Sequence, residues 1–297
     1  MPAAISVVIP TYRRPEMLAR VLAALAPQAA AEGAEVLVTD NCPDRSAEAV
    51  ARAAGARWTH EPVPGVSNAR NRGVAEASGD WIAFLDDDET PRPGWLAALR
   101  RHAEAGAEAC FGRVEPAFET PPPAELAGLL DGIFSRRLDA PVGADVSDRR
   151  AWLGAGNSLF RRGRCFPDEA PFDPRFNAGG GEDIWLLRRL VEERGVRLIW
   201  AGDAVVDEHV PAARMTAAYV RARKFNSGRL RCVVESGARG PAAAARVALW
   251  MGVGLAQAGL HGAAWAALSA AGAPRARAEA ARAAGGLGKL LWWRAPA

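Results

Sequence analysis

The chain has 297 residues, with 37 Lys and Arg against 34 Asp and Glu, a formal net charge of +3. Apolar residues make up 49% and charged residues 24%, an ordinary globular balance that excludes a wholly disordered chain. Only Lys224 and Lys289 are lysines, so arginine carries nearly all the positive charge. With abundant alanine and glycine, this reads as the codon bias of a GC-rich genome and not as a nucleic-acid footprint, which needs clustered Lys and Arg interleaved with aromatics.

At roughly 100–200 residues per domain, the length fits one large α/β domain, alone or with an appendage. Cys42, Cys110, Cys165 and Cys232 are too widely spaced for CxxC zinc or redox motifs. The N-terminal residues run straight into an apolar strand with no basic region or small-residue cleavage site, so no signal peptide and a cytoplasmic location are expected.

Ile5–Ile9 is a β-branched run closed by Pro10 and predicts a buried strand. Residues 15–26 predict a helix, with Met17, Leu18, Val21, Leu22 and Leu25 at helical spacing and Pro15 in the first turn. Val36–Thr39 predicts a second strand ending at Asp40, residues 47–54 a short helix and Arg57–Thr59 a third strand. Residues 66–77 predict a helix, and Trp81–Leu85 a fourth strand that runs into Asp86, Asp87, Asp88 and Glu89. A further helix covers 93–103. This alternation predicts a mostly parallel, doubly wound sheet flanked by helices. Ligands bind such sheets beyond the carboxyl ends of the strands, where Thr11, Asp40 and Asp86 fall.

The pattern changes beyond about residue 116. Three prolines at 121–123 mark a break, Ala151–Phe160 and Val196–Trp200 predict strands, and 182–193 predicts a helix opening after three glycines. No acid occurs between Val210 and Val234, while Arg214, Arg221, Arg223, Lys224, Arg229 and Arg231 do, with Arg214 and Arg221 on one helical face. From Pro241 the composition turns to Ala, Gly, Leu and Trp, and 28 residues between Arg246 and Arg275 carry no charge.

Four consecutive carboxylates at 86–89 repel one another and invite a hard divalent cation; a solvated acidic turn capping the next helix is the other reading. Glu182 and Asp183, after Gly179–Gly181, offer a carboxylate able to deprotonate a hydroxyl, or simply complement a helix dipole. Pro10, Thr11, Tyr12 and Arg13, with Asp40, Asn41, Asn68, Arg70 and Asn71, lie where a base, a ribose and a phosphate can be bound. The six cations after Val210 suit a diphosphate, an anionic membrane or a solvated face. His209 alone reads as structural.

Taken together, Val7–Arg14, Asp40, Ala69–Gly73, Phe84–Glu89, Gly156–Ser158 and Gly181–Asp183 resemble the family 2 glycosyltransferases of the GT-A fold, over roughly residues 4 to 230. Pro64–Asn71, Pro171–Phe176 and His209–Pro211 look most like the bacterial exopolysaccharide, succinoglycan-type branch. The resemblance implies inverting, metal-dependent transfer of one sugar from a nucleotide donor, UDP-linked, to a saccharide acceptor, with Mg²⁺ or Mn²⁺ as cofactor. It implies that Asp40 reads the base beside Pro10, Thr11 and Arg13, that Asp86 and Asp87 contact ribose and donor, and that Arg70 faces the diphosphate. Asp88 is implied as the direct metal ligand, with Asp86 also in the metal set and His209 as a metal or diphosphate contact. Asp183 is implied as general base on the acceptor hydroxyl, and Glu182 as a support for acceptor binding. Where the family often continues Glu-Asp-x-Asp/Glu, this chain has Trp185, either a stacking surface for a sugar or core. A Gln-x-x-Arg-Trp motif is absent, so single-sugar addition is expected.

These readings give a catalytic domain over 1–235 and a helical extension over 236–297. The extension predicts an amphipathic hairpin on the inner membrane leaflet, with Arg275, Arg277, Arg282, Lys289 and Arg294 facing lipid phosphate and Trp292 and Trp293 at the interface; packing on the catalytic domain or another subunit is the alternative. The acceptor is then expected to be lipid-linked, and nucleic acid is not an expected partner. Two other functions stay open: a sugar nucleotidyltransferase, disfavoured by the missing glycine loop after the first strand, and a silent scaffold of a polysaccharide assembly.

Overall fold

In the computed structural model, which describes residues 4–237 and 240–294, strand β1 (Ile5–Thr11) is buried along its whole length. Its β-branched side chains alternate between the two faces of a sheet that is covered on both sides. Val7 and Ile9 join one core with Leu18, Leu22 and Leu25 of α1 (Pro15–Glu32). Val8 points into the other, with Phe84, Phe111, Phe160 and Phe172.

The chain continues through β2 (Glu35–Asp40), α2 (Glu48–Ala53), β3 (Arg57–His60), α3 (Val66–Glu76), β4 (Trp81–Phe84), β5 (Glu89–Pro91) and α4 (Trp95–Glu104). It then forms β6 (Ala109–Phe118), α5 (Ala127–Phe134), β7 (Ser158–Arg161), α6 (Arg162–Cys165), α7 (Glu182–Glu192) and β8 (Leu198–Val210). Helices α8 (Ala217–Ser236), α9 (Pro241–Ala270) and α10 (Ala276–Leu290) follow. The strands form one eight-stranded sheet in the order β3-β2-β1-β4-β7-β6-β8-β5. The α/β class is as expected, but the parallel arrangement covers only half of the sheet. The first four strands pair in parallel, whereas β7 runs antiparallel to β4 and β6, and β5 antiparallel to β8.

The local differences have physical causes. Helix α1 continues through Pro27 to Glu32, because Leu25 and Ala29 are buried on either side and outweigh the hydrogen bond that the proline removes. Strand β6 runs through Gly112 and Pro116. A Cβ at Gly112 would lie 2.3 Å from the Ala204 carbonyl oxygen, so the glycine is where the neighbouring backbone passes. Only the end of the predicted strand 151–160 is strand; 147–152 is a 3-10 turn and the rest a loop.

Two compact units are present. The first comprises the chain to Ala117 with Ser135–Asn177 and Glu182–His209; the second comprises Phe118–Phe134, Ala178–Gly181 and the chain from Val210. The second unit is thus larger than the expected extension from 236, because α5 packs its Leu129, Leu130 and Phe134 into one cluster with Val220 of α8 and with Ala278 and Ala281 of α10. Arg214 lies in a 3-10 turn before α8, so it does not share a helix with Arg221. Lys289 is buried and donates to Gln257 Oε1 at 2.8 Å, so it turns away from any lipid phosphate. All four cysteines are free thiols and buried.

Glu35 ties β1, β2 and β3 together. Its carboxylate accepts from the Ser6 hydroxyl, from Ser78 N at 2.9 Å, from Ser78 Oγ at 2.8 Å and from Arg57. Burial pushes its carboxyl up, but those donors outweigh burial and hold the pKa down at about 2, against an ordinary 4.5. A depressed carboxylate stabilises the fold above its unfolded pKa and loses that contribution as pH falls through its folded one. Glu35→Gln is expected to cost about 1–2 kcal/mol at pH 7, with the Arg57 contribution screened by solvent. In thermal melts the gap from wild type should close as pH falls from about 4.5 toward 2. An unchanged gap at the acid end would refute this role.

Candidate active site

The ladder between β1 and β2 places Thr11 opposite Asp40, and β4 ends beside them at the same edge. This is the carboxyl edge at which open sheets bind ligands. The Thr11 hydroxyl donates to Asp87 Oδ2 at 2.7 Å. Arg14 Nη1 bridges Asp87 Oδ1 at 2.9 Å and Asp88 Oδ2 at 3.0 Å. Burial, with lesser help from Asp88 and Asp86 and against the pull of Arg14, pushes the Asp87 carboxyl up to about 6. His209 donates its backbone N–H to the Asp88 carbonyl at 2.8 Å, so the pairing of β5 with β8 brings those two residues together.

Asp40 is fully buried, and its carboxylate accepts from Cys42 N at 2.9 Å and Ala47 N at 2.8 Å. Asn41 fastens the following loop, donating to the Glu61 and Val63 carbonyls and accepting from Gly65 N. Pro10 is buried within β1. Arg13 is exposed, has a left-handed backbone with φ of 55°, and pairs with Asp44 at 3.4 Å.

The two acidic groups of the sequence are joined by Arg70. From the buried face of α3, Nη1 donates to Glu182 Oε1 at 2.6 Å and Nη2 to Asp86 Oδ1 at 3.2 Å, while the guanidinium lies 5.6 Å from the Phe172 ring centre. Expected to face a diphosphate, Arg70 is instead enclosed by these carboxylates. Burial would lower its pKa, but Asp86, Glu182 and Asp183 more than compensate and raise it. Burial raises the carboxyl of Glu182, with Asp183 adding to it. Arg70 Nε and Glu182 Oε2 are buried without a hydrogen-bond partner. Asp183 opens α7, with Oδ1 accepting from Ile184 N at 2.7 Å. Trp185 packs against Phe176, with ring centres 6.0 Å apart.

Two residues receive no role from the sequence. Arg14 is one. The other is Arg136, which is buried and donates to the carbonyls of Gly112 at 2.7 Å, Gly154 at 3.0 Å, Gly156 at 2.7 Å and Asn157 at 2.8 Å. This fork fixes the loop between the two acidic groups. A Cβ at Gly156 would lie 2.5 Å from Asp86 Oδ2 and 3.0 Å from Glu89 Oε1, and one at Gly154 would lie 3.2 Å from Asp183 Oδ2. Glu89 also accepts from Asp86 N at 3.1 Å, and burial pushes its carboxyl well up. The signal for this loop was the glycine pair at 154 and 156; nothing local pointed to an arginine eighteen residues before it.

Among the described residues no three His, Cys, Asp or Glu side chains close into a metal cage. The donor set still fits Mg²⁺ or Mn²⁺, which take one or two carboxylates and complete their shell with substrate phosphates and water. Asp86 and Asp88 are of that type, and Arg14 shows that a positive charge is accommodated between Asp87 and Asp88.

Residues 6–145 match the family model described as glycosyl transferase family 2. The chain is also 33% identical over 229 residues to the succinoglycan biosynthesis protein ExoM of Rhizobium meliloti, covering 73% of this chain and 71% of that protein. The chain belongs to glycosyl transferase family 2. It is 29% identical to the pre-mycofactocin glycosyltransferase of Mycobacterium tuberculosis over 68% of this chain and 42% of that protein. The fold resembles the mannosyltransferase PcManGT of Pyrobaculum calidifontis, with a TM-score of 0.64 and 16% identity over 99% of this chain and 89% of that one. It also resembles TarS of S. aureus, with a TM-score of 0.55 and 17% identity over 82% and 69%. The transferase thus has the GT-A architecture, with its acidic groups at the sheet edge.

Gly156→Ala is expected to displace Asp86 and lower kcat/KM of the transferase at least about tenfold, with Gly154→Ala milder. Equal, undiminished activity in both variants would remove the loop from the site. Arg136→Lys keeps the charge but loses the planar fork, and should cost about 2–3 kcal/mol in denaturant melts. The raised Asp87 carboxyl binds its proton more tightly in the folded than in the unfolded chain. Its contribution is therefore present below the ordinary 3.8 and is lost as pH rises through about 6. Asp87→Asn should flatten that part of the stability profile in metal-free melts; an unaltered slope would contradict the assignment.

Proposed function

We propose that the transferase moves one sugar, with inversion, from a UDP-sugar to a hydroxyl of a lipid-linked saccharide during synthesis of a bacterial surface or exopolysaccharide. The observation that carries this reading is the pair of acidic groups on separate elements, Asp86–Glu89 after β4 and Glu182–Asp183 opening α7, joined through Arg70. Inverting transfer is one displacement and needs a base at the acceptor and stabilisation of the departing diphosphate.

Asp183 is the base: Oδ1 is held by Ile184 N, and Oδ2 lies toward the Gly154 loop. As the acceptor oxygen forms its bond to the anomeric carbon and the bond to the diphosphate breaks, the hydroxyl proton passes to Asp183. Glu182, anchored by Arg70, fixes the first turn of α7 and with it the direction of that carboxylate. Thr11, Arg13 and Asp40 form the nucleotide end, and Asp86 and Asp87 the ribose and donor end. Asp88 and Asp86, with His209 alongside, would hold Mg²⁺ or Mn²⁺, which supplies Lewis-acid neutralisation of the leaving diphosphate. Arg14 bridges Asp87 and Asp88 and orients both carboxylates.

Structures of similar fold support a nucleotide-sugar donor and a divalent metal, since PcManGT was solved with GDP-Man and Mn²⁺ and TarS with UDP-GlcNAc; the choice of UDP follows the latter. The name of the R. meliloti relative supports the polysaccharide context. The location this reading favours is the cytoplasmic face of the inner membrane, with Arg275 and Arg294 drawn to lipid phosphate, whereas Arg277 and Arg282 are paired with Glu125 and Glu279.

Asp183→Asn should lower transfer about 10³-fold while UDP-sugar binding, measured calorimetrically with Mn²⁺, stays near wild type. Asp88→Ala should abolish the metal-dependent part of that binding. Full transfer by both variants would sink the assignment.

A further inference from the structure

Helix α9 has its side chains arranged in the reverse of a water-soluble helix. Its packed side carries small and polar groups. Gly254 lies so close to α10 that a Cβ there would sit 2.8 Å from the Gly286 carbonyl oxygen. Gln257 Nε2 donates to the Arg282 carbonyl at 3.2 Å and its Oε1 accepts from Lys289, while His261 Nδ1 lies 2.6 Å from Glu279 Oε2. Among the described residues of α9 only Ala243 and Gly254 are fully buried. The large apolar side chains are outside: Leu249 and Leu255 are each 66% exposed, Leu260 is 70% exposed, and Val253 and Trp265 are exposed as well.

A helix in water buries its large apolar side chains and exposes its polar ones. Small residues at helix contacts with large apolar residues outward are the pattern of helices bathed in lipid. Leu249, Val253 and Leu260 fall on one stripe at helical spacing, and no charge follows Arg246 in the helix. Those 24 residues are about 36 Å long, enough to match a hydrocarbon core of about 30 Å. The charged helix α10 lies along one side of α9, so α9 cannot be ringed by lipid. It can only lie in the membrane plane with its outer face immersed. Charge complementarity names the membrane: Arg275 stands exposed just past the end of α9, positioned for an anionic headgroup layer, while Arg277 beside it pairs with Glu125 at 2.9 Å.

We propose that the outer face of α9, centred on Leu249, Val253 and Leu260, is buried in the hydrocarbon of an anionic bilayer. This rests on the membrane location proposed for the enzyme and extends it from attraction at the surface to immersion.

The full chain is mixed with phosphatidylglycerol and phosphatidylethanolamine vesicles and floated at low salt and at about 1 M NaCl, where surface charge is screened within ~3 Å. It should float in both conditions. Leu249→Glu with Leu260→Glu should lower the bound fraction at 1 M NaCl at least about tenfold. The same double variant should keep the wild-type melting temperature and the wild-type rate of transfer to a soluble acceptor. Flotation at low salt that is lost at high salt would overturn immersion and leave the charge-based location standing. Failure to float at either salt would overturn both. A dimer in light scattering that the double variant dissociates, without flotation of the wild type, would make a second copy the occupant and overturn the proposal.

Discussion

The contact on which the site depends is the guanidinium of Arg70 between Glu182 and Asp86. It is buried, and at 2.6 and 3.2 Å it links Glu182 in the first turn of α7 to Asp86 just after β4, groups far apart in the chain. Removing one partner from such a buried ion pair leaves an uncompensated charge and typically costs 3–5 kcal/mol, so the two acidic groups are fixed relative to each other as a unit. Arg136 performs a parallel task on the backbone, gathering four carbonyls of strand and loop so that the segment between the acids has one conformation.

These two arginines, together with Arg14, also explain how so many carboxylates share one edge. Burial raises Asp87, Glu89 and Glu182, and each is balanced in part by a named cation: Arg14, Arg136 and Arg70 respectively. The balance is incomplete, and a site held short of positive charge favours any ligand that brings a cation with it.

Much of this was legible in the sequence for local reasons. The strands β1, β2 and β4 are short β-branched or aromatic runs ending at Thr11, at Asp40 and at Phe84 just before Asp86, and α3 begins where Pro64 and Gly65 stop the preceding loop. What was hidden is what depends on distant partners. Strand β6 holds Gly112 because Ala204 and Asn157 crowd it, and β5 is three residues whose pairing partner lies in β8. Arg136 gives no local signal, since its partners are carbonyls and carry no sequence identity. Lys289 reads as a surface cation by composition, yet Gln257 of the preceding helix draws it inward. Its burial is a property of the helix pair.

The four sulfhydryls lead somewhere else. Each is buried, Cys42, Cys110 and Cys165 within the first unit and Cys232 within the second. Burial lifts Cys165 to about 12 and raises Cys110 and Cys232, which suppresses the thiolate that alkylating reagents attack. At Cys42 burial is outweighed by hydrogen bonds with Asp44 and Arg13 that lower the thiol, so its enclosure alone protects it. The native protein therefore carries its own silent labels, and the order in which the sulfurs become reactive reports which unit opens first. A chain without a single engineered probe can in this way be read as two clocks.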